Sequence, residues 1–214
     1  MNTIDVNGRT LQPSKIVCVG RNYKAHIEEL GNEVPDSIVV FHKPNSAISD
    51  TLRSDIDGQA LHYESELAFT VKAGNLHSVG FGLDLTKRGL QSALKAKGLP
   101  WERAKAFDGA ALFSAFVTLP NGIEGLSLRL DVDGKPRQAG DISLMIYTPV
   151  QIIRELETFI TFEDGDIIMT GTPAGVGAIA AGEYFEGKVL FEGTPLVSAS
   201  WTATASTSTI KPRR

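Results

Sequence analysis

The amino-acid sequence predicts a single α+β domain dominated by a mixed, rolled β-sheet, with a few short helices. Strand signals outnumber helix signals, the two do not alternate regularly, and 21 glycines supply many turns. Regular alternation would indicate a doubly wound parallel sheet, so that class is disfavoured. Because 214 residues suffice for one well-buried core, we expect one domain, with its core at about 15–203 and a polar tail at 204–214.

The N-terminal half opens with short strand and helix signals. Residues 15–20 (KIVCVG) predict a buried strand that holds the single cysteine, Cys18, which we interpret as a buried, inert thiol. Residues 22–30 predict a short helix ended by glycine, and residues 38–41 a second strand. A longer strand is predicted at 61–71.

Strand signals return after one more helix, which is predicted at 86–97. Residues 126–132 (LSLRLDV) alternate apolar and polar side chains, as in a strand with one solvated face. The Asp133-Gly134 pair that follows directly predicts a hairpin turn. A strand is predicted at 166–170 and another hairpin at 189–201.

The best specified helix follows Thr148. Thr148 can cap its N-terminus, Pro149 can begin it, and Gln151 can complete a capping box. Apolar residues then recur at helical spacing as far as Ile160.

Composition and charge exclude several classes of protein. A net charge of −4 gives no electrostatic reason to expect nucleic acid or an anionic membrane as a partner. One cysteine excludes a disulfide within the chain, and no apolar run approaches the ~18 residues of a membrane span. The N-terminus lacks the pattern of a signal peptide, so we expect a soluble, cytoplasmic protein.

Two glutamates, Glu64 and Glu66, are candidate metal ligands. Residues i and i+2 of a strand share a face, so their carboxylates lie side by side and repel each other unless a cation compensates. A hard divalent ion such as Mg²⁺ or Mn²⁺ accepts such oxygen ligands. The alternative is a solvated strand face without a ligand.

Asp84 is a third candidate ligand. It lies in the apolar stretch Gly80–Leu85, where a solvated carboxylate is unexpected, and a buried aspartate must be paired, capping or metal-bound. Its alternative role is to cap the helix predicted near Thr86.

His26 and Glu29 form a candidate catalytic dyad. At spacing i, i+3 on a short helix they can hydrogen bond, which orients the imidazole and makes it a better base for activating water. A surface His–Glu pair is the alternative.

A glycine-rich loop, residues 170–177 (TGTPAGVG), follows a predicted strand. It lacks the Gly-Lys-Ser/Thr of a phosphate-binding loop, and its spacing does not fit a dinucleotide fingerprint. Its backbone N–H groups and the Thr172 hydroxyl can still bind a carboxylate. An ordinary tight turn is the alternative.

These features together resemble the fumarylacetoacetate hydrolase superfamily, in particular its small single-domain branch of acylpyruvases, oxaloacetate decarboxylase/tautomerases and 2-hydroxymuconate-type isomerases. The resemblance covers residues 15 to about 200 in the family's order. Its motifs are Val19-Gly20-Arg21-Asn22-Tyr23 with His26 and Glu29, Phe41-His42-Lys43-Pro44, His62-Tyr63-Glu64-Ser65-Glu66, Leu83-Asp84-Leu85-Thr86 with Arg88 and Gln91, Gly98-Leu99-Pro100-Trp101 with Ala104-Lys105-Ala106-Phe107-Asp108, and Gly165-Asp166 with Thr170-Gly171-Thr172-Pro173 and Gly175-Val176-Gly177.

The resemblance implies roles for individual residues. It implies that Mg²⁺, with Mn²⁺ or Ca²⁺ as alternatives, is bound by Glu64, Glu66 and Asp84. It also implies that the protein is a homodimer, that the helix carrying the dyad is a mobile lid, and that the remaining positions serve in catalysis (His26, Glu29 and Lys105) or bind substrate (Arg21, Arg88, Gln91 and Thr172).

The reaction expected from the resemblance and the chemistry is hydrolysis of the C–C bond of a 3-acylpyruvate, a 2,4-dioxo acid, with pyruvate leaving as its enolate. Water activated by the dyad would attack the distal carbonyl. Decarboxylation or tautomerisation of oxaloacetate, or a 5-carboxymethyl-2-hydroxymuconate-type isomerisation, would use the same site and is the main alternative. A non-catalytic metabolite-binding protein is a remote alternative, since such a protein would be expected to lose Lys105 or the His26–Glu29 dyad, and all three residues are present.

Overall fold

A computed structural model describes residues 1–31 and 33–206 of the chain. Within these residues the helices are short: α1 (Lys24–Glu29), α2 (Arg88–Ala96), α3 (Glu102–Lys105) and α4 (Pro149–Leu156). The strands dominate, and they are β1 (Ile4–Val6), β2 (Arg9–Leu11), β3 (Lys15–Gly20), β4 (Val39–Pro44), β5 (Asp55–Ile56), β6 (Gln59–Ala60), β7 (His62–Tyr63), β8 (Ser65–Lys72), β9 (Asn75–Asp84), β10 (Ala111–Phe113), β11 (Val117–Thr118), β12 (Leu126–Val132), β13 (Lys135–Asp141), β14 (Ile167–Met169), β15 (Gly177–Ala178), β16 (Tyr184–Phe191) and β17 (Thr194–Thr202).

The fold is the α+β class that the sequence predicts, with a strongly curled mixed sheet. The large sheet has seven strands in the order β10-β9-β8-β14-β3-β4, with β11 also paired to β9. The β3–β14 pair is parallel, whereas the other pairs of this sheet are antiparallel. A second, antiparallel sheet has the order β13-β12-β16-β17.

The main core lies between the two sheets. Phe69 and Phe81 of the large sheet pack with Leu128, Phe185 and Val189 of the second sheet, and all five are almost completely buried. Such side chains each contribute roughly 1.5–3 kcal/mol to folding. This core fixes the two sheets against each other and so positions the loops at their edges.

Strand β3 is buried on both faces, as its continuous apolar run predicts. Ile16 and Cys18 join one core cluster, while Val17 and Val19 join another that includes Ile152 of α4. Burial, reinforced by nearby negative charge from Asp84, raises the pKa of the Cys18 thiol well above its usual value. The thiol therefore stays protonated.

Several local predictions are confirmed. Strand β3 spans 15–20 and strand β12 spans 126–132, and the latter turns directly into β13. The Thr148 side chain accepts a hydrogen bond from the Gln151 backbone, and the Gln151 side chain completes the capping box. Helix α4 nevertheless ends at Leu156, before Ile160.

The predicted continuous strand at 61–71 is interrupted at Glu64. Strand β7 pairs with β15, whereas β8 pairs with β9 and β14, so the chain changes partners at this residue. The prediction was therefore wrong in its continuity. Glu64 therefore lies at the junction between the β7–β15 pair and the β8–β9 pair.

Both predicted helices of the first half begin later than expected. Helix α1 starts at Lys24 rather than 22, and α2 at Arg88 rather than 86. Thr86 is extended because its backbone forms two hydrogen bonds with His62. The residue that precedes α2 as its N-cap is Lys87, so the alternative role of Asp84 as a helix cap is excluded.

Two further observations concern the C-terminal tail and the length of the helices. Thr204 and Ser206, in the predicted polar tail, are hydrogen bonded to Leu52 and Asp55, and the rest of that tail, 207–214, lies outside the described residues. Across 1–31 and 33–206, we find no helix with the length and hydropathy needed to cross a bilayer.

Candidate active site and metal centre

Strand register brings the three predicted metal ligands together. Glu66 lies opposite Gly82 in the β8–β9 pair, and the Asp84 backbone N–H donates to the Glu64 carbonyl at 2.8 Å. Residues two apart on a strand and residues opposite each other share a face. The carboxylates of Glu64, Glu66 and Asp84 therefore converge, each offering an oxygen within 4.8 Å of the others.

Burial excludes the interpretation of the Glu-x-Glu pair as a solvated face. Glu64 is 6% exposed, Glu66 1% and Asp84 0%. Buried carboxylates need cations or hydrogen-bond donors. The structure supplies both, from a lysine of α3, a lysine of β4, an arginine of α2 and the glycine-rich loop.

Lys105 is the principal cation of the carboxylate cluster. Its Nζ donates to Glu64 Oε2 at 2.7 Å, to Asp84 Oδ2 at 2.6 Å and to Thr86 Oγ1 at 2.6 Å. Burial acts to lower the pKa of Lys105, but the charges of Asp84 and Glu64 outweigh it, and the pKa is raised. These contacts favour the charged form of Lys105.

Two further cations approach the cluster. Lys43 Nζ lies 2.7 Å from Asp84 Oδ1, and the Arg88 guanidinium contacts Glu64 Oε1. Burial opposes ionisation of Glu64, but Lys105 and Arg88 prevail, so the pKa of Glu64 falls below its usual range.

The carboxylate cluster fits a divalent metal ion. Asp84 Oδ1 is buried without a hydrogen bond of good geometry, despite the nearby Lys43 ammonium. Glu66 has one backbone donor, Gly171 N–H at 2.7 Å, and burial with repulsion from Asp84 and Glu64 raises its pKa well above the usual range. A buried, all-oxygen ligand set that includes an Asp84 oxygen without a hydrogen-bond partner suits a hard cation.

The predicted dyad forms. His26 Nδ1 lies 3.2 Å from Glu29 Oε2, and Glu29 Oε1 accepts a hydrogen bond from the Gly175 backbone at 3.0 Å. His26 is only 6% exposed and lines the same cavity as the carboxylates, so the imidazole does not lie on the open surface, whereas Glu29 itself is exposed. With Nδ1 held by Glu29, Nε2 is the nitrogen that remains for a substrate.

The glycine-rich loop is more than a turn, because its geometry is built around the site. Gly171 (φ +94°) and Gly175 (φ +99°) both have a backbone conformation that residues with a side chain rarely adopt. A Cβ at Gly175 would meet the Arg137 carbonyl oxygen at 2.0 Å. These glycines allow the backbone N–H groups to reach Glu66 and Glu29.

Topology explains why this loop meets the dyad helix. Strands β3 and β14 are parallel, so the segments that follow them leave the same edge of the sheet. Asn22 joins the two, donating to the carbonyls of Thr170 at 2.8 Å and Tyr147 at 2.9 Å.

Nine of the ten predicted site residues line one cavity: Arg21, His26, Glu64, Glu66, Asp84, Arg88, Gln91, Lys105 and Thr172. The tenth, Glu29, contacts the cavity through His26. Val19, Ile27, Phe41 and Trp101 add an apolar wall. Arg88 also donates to Gln91 Oε1 at 2.7 Å, which ties two of the predicted substrate-binding residues together.

Two supporting residues were not predicted. Lys43 belongs to the Phe41-His42-Lys43-Pro44 motif, for which no role was predicted, although a lysine within a buried strand indicates a buried ion pair. Gln138 of β13 donates to Thr172 Oγ1 at 2.8 Å and accepts from the Ser65 backbone at 2.9 Å. Nothing in its local sequence, Lys-Pro-Arg-Gln, distinguishes it from a surface residue.

Fold and site together define a curled α+β protein whose cavity combines a buried three-carboxylate cluster with a His–Glu dyad. The chain belongs to the fumarylacetoacetate hydrolase family, because the family profile described as fumarylacetoacetate (FAA) hydrolase C-terminal matches residues 15–202. It is therefore an enzyme of that superfamily, as the sequence motifs predict.

Named relatives refine the comparison. The chain is 37% identical over 203 residues to oxaloacetate tautomerase YcgM of Escherichia coli (strain K12), covering 86% of this chain and 91% of that protein. It is 34% identical over 189 residues to the mitochondrial oxaloacetate decarboxylase of Dictyostelium discoideum, covering 80% and 87%. The crystal structure of fumarylpyruvate hydrolase from Pseudomonas aeruginosa in complex with Mn²⁺ and pyruvate superposes with a TM-score of 0.85 at 29% identity, covering 96% of each chain.

Proposed function

We propose that this protein is a divalent-metal-dependent oxaloacetate keto–enol tautomerase. The observation that carries the proposal is the convergence of the carboxylate cluster, the His26 imidazole and several cations on one cavity. Two relatives at 34% and 37% identity are named for reactions of oxaloacetate, which favours this activity over the acylpyruvate hydrolysis that was the first expectation from the sequence.

The proposed metal is Mg²⁺, with Mn²⁺ as an alternative, held by Glu64, Glu66 and Asp84. The Mn²⁺ in the similar Pseudomonas structure supports a divalent ion. When bound, such an ion polarises the 2-oxo group and makes the C3 protons of oxaloacetate more acidic. Proton transfer and substrate binding are carried out by the protein's own side chains.

Proton transfer is assigned to His26. Its Nε2 takes a proton from C3, and the electron pair forms the C2=C3 bond while the 2-oxo oxygen gains negative charge. The imidazolium then gives the proton to that oxygen, which completes the enol. Glu29 holds Nδ1 at 3.2 Å and so keeps Nε2 directed at the substrate.

Lys105 and Gln91 stabilise the substrate rather than transfer protons. The Lys105 amino group, which donates to Glu64, Asp84 and Thr86, lies beside the carboxylate cluster and favours negative charge that develops on the substrate. Thr172, fixed by Gln138, supplies a hydroxyl to a substrate oxygen.

Hydrolysis of 3-acylpyruvates is the second candidate, favoured by the same dyad. A buried imidazole paired with a carboxylate also suits proton abstraction from water. The fold is shared with a protein named for fumarylpyruvate hydrolysis, which supports this candidate.

The test is a substrate panel with Mg²⁺ and with EDTA. Tautomerisation is followed by the ultraviolet absorbance of enol-oxaloacetate, decarboxylation by pyruvate release, and hydrolysis by loss of acylpyruvate absorbance. We expect metal-dependent tautomerisation to have the largest kcat/KM. Rapid acylpyruvate cleavage without faster tautomerisation would replace the first candidate by the second.

A further inference from the structure

We propose that Lys95, together with Arg21, forms a subsite for the second carboxylate of a dicarboxylic 2-oxo acid. The inference rests on the proposed function and adds to it the residues that select the substrate class. Both side chains line the cavity that holds the carboxylate cluster and His26.

Helix α2 presents Lys95 to the cavity by its periodicity. Arg88, Gln91 and Lys95, at positions i, i+3 and i+7 of one helix, share a face, and all three line the cavity. Lys97, at the C-cap, is exposed and is not part of the lining. The helix therefore supplies a matched pair of lysines, one inside the site and one outside.

Arg21 is held in place by an unusual backbone. Its φ of +57° is left-handed, a conformation that arginine seldom adopts. Its neighbour Asn22 is 1% exposed and anchored to Tyr147 and Thr170 by hydrogen bonds. Such strain persists when the surroundings fix it and is common at ligand sites.

The cavity is lined by more cationic than carboxylate side chains. Four cations line it, Arg21, Arg88, Lys95 and Lys105, against the three carboxylates of the cluster, and a divalent ion would add two more positive charges. Arg88 and Lys105 contact the cluster directly, whereas Arg21 and Lys95 are half-buried and belong to the more exposed part of the wall.

The electrostatics of Lys95 agree with this arrangement. Burial first, and then the like charges of Arg21 and Arg88, lower the pKa of Lys95. A bound anion would favour the charged form of Lys95, as the nearby Glu64 already does. If the proposed substrate placed its 2-oxo group and one carboxylate toward Glu64, Glu66 and Asp84, its second carboxylate would be the anionic group left to reach Arg21 and Lys95.

The experiment compares oxaloacetate with pyruvate, which lacks the second carboxylate. Binding of each to the Mn²⁺-loaded protein is measured by calorimetry for wild type, Lys95→Met, Arg21→Met and the control Lys97→Met. Loss of one charge-assisted hydrogen bond predicts about tenfold or more weaker oxaloacetate binding in the first two variants. Pyruvate binding should change less than twofold, and Lys97→Met should change neither.

Lys95→Arg keeps the charge and should retain most of the preference for oxaloacetate over pyruvate. Equal weakening of both ligands in Lys95→Met, or unchanged oxaloacetate binding, overturns the subsite. Absence of tautomerase turnover in the wild type would instead refute the proposed function, and the binding comparison would still decide the role of Lys95.

Discussion

Gln138 Nε2 donates a hydrogen bond to Thr172 Oγ1 over 2.8 Å. The same side chain accepts from the backbone of Ser65, the residue between Glu64 and Glu66. Gln138 is 2% exposed and lies on β13, in the second sheet. One amide thus joins the carboxylate cluster and the glycine-rich loop, although neither belongs to its own sheet.

The first prediction follows from this link. Gln138→Ala leaves a buried N–H and a buried hydroxyl without their partner, which costs roughly 1–3 kcal/mol. We expect kcat/KM for oxaloacetate to fall about tenfold with the fold retained. A double-mutant cycle with Thr172→Ala should show non-additive losses, and strict additivity would mean that Gln138 does not act through Thr172.

The second prediction concerns the metal. Glu64→Ala, Glu66→Ala and Asp84→Ala should each reduce turnover to background. Mn²⁺ should raise the thermal midpoint of the wild type, since an ion at 100 times its Kd adds about 2.7 kcal/mol, and the shift should vanish in the variants. Full activity in excess chelator would contradict the metal site.

The third prediction concerns the dyad. His26→Ala and Glu29→Gln should lower tautomerisation by ~10²-fold or more, the usual effect of a positioned base. Glu28→Gln is the matched control, because Glu28 is exposed and adjacent. Pyruvate and Mn²⁺ binding should persist in all three variants. Near wild-type rates in both dyad variants would place proton transfer elsewhere.

The fourth prediction is a pH dependence of stability that originates away from the site. Asp166 is fully buried, and its carboxylate accepts from Lys15, Ser14 and the Glu163 backbone. Burial acts to raise its pKa, but these hydrogen bonds prevail and lower it. The stabilisation is therefore present above the unfolded-state pKa of about 3.9 and is lost as pH falls through the lower folded-state pKa.

Urea unfolding of wild type and Asp166→Asn measures this contribution. The variant should be less stable by roughly 2 kcal/mol at pH 7, and the difference should shrink below pH ~4 as the wild-type carboxylate is protonated. A difference that stays constant between pH 7 and pH 3 would contradict the assignment to ionised Asp166.

The fifth prediction is assembly. The resemblance implies a homodimer, so light scattering at micromolar concentration should give twice the chain mass of 23.0 kDa. A stable monomer would contradict it. A cytoplasmic location also stays a prediction, and one named relative is mitochondrial.

Local signals predicted much of this molecule. The capping box of Thr148 and the hairpin after β12 depend on neighbours within a few residues, and both are confirmed. The three candidate metal ligands could be identified because a pair of glutamates and an aspartate in an apolar stretch violate the usual polarity of strands. The interruption at Glu64 was missed, because it depends on pairing with β15, more than a hundred residues away.

Long-range contacts explain the other omissions. The ion pair of Lys43 with Asp84 and the hydrogen bond of Gln138 to Thr172 join separate strands and loops. Their partners are set by sheet order, which no periodicity of the sequence encodes. Resemblance to a family supplied roles for Lys105 and Gln91, but not the contacts that position them.

The two oxygens of Glu29 serve different partners, the imidazole of His26 and the backbone of Gly175. Lifting helix α1 from the loop would break the Gly175 contact and would carry the His26–Glu29 pair, both members of which lie on that helix, away from the carboxylate cluster. Docking of helix α1 on the loop and placement of the base at the site are therefore one equilibrium. A ligand shifts this equilibrium toward the docked state only if it fits beneath the docked helix. We expect that an oversized 2-oxo acid that holds α1 away from the loop will bind at the carboxylate cluster but will not react. The position of helix α1 would then exclude by size a ligand that the charges of the cavity bind.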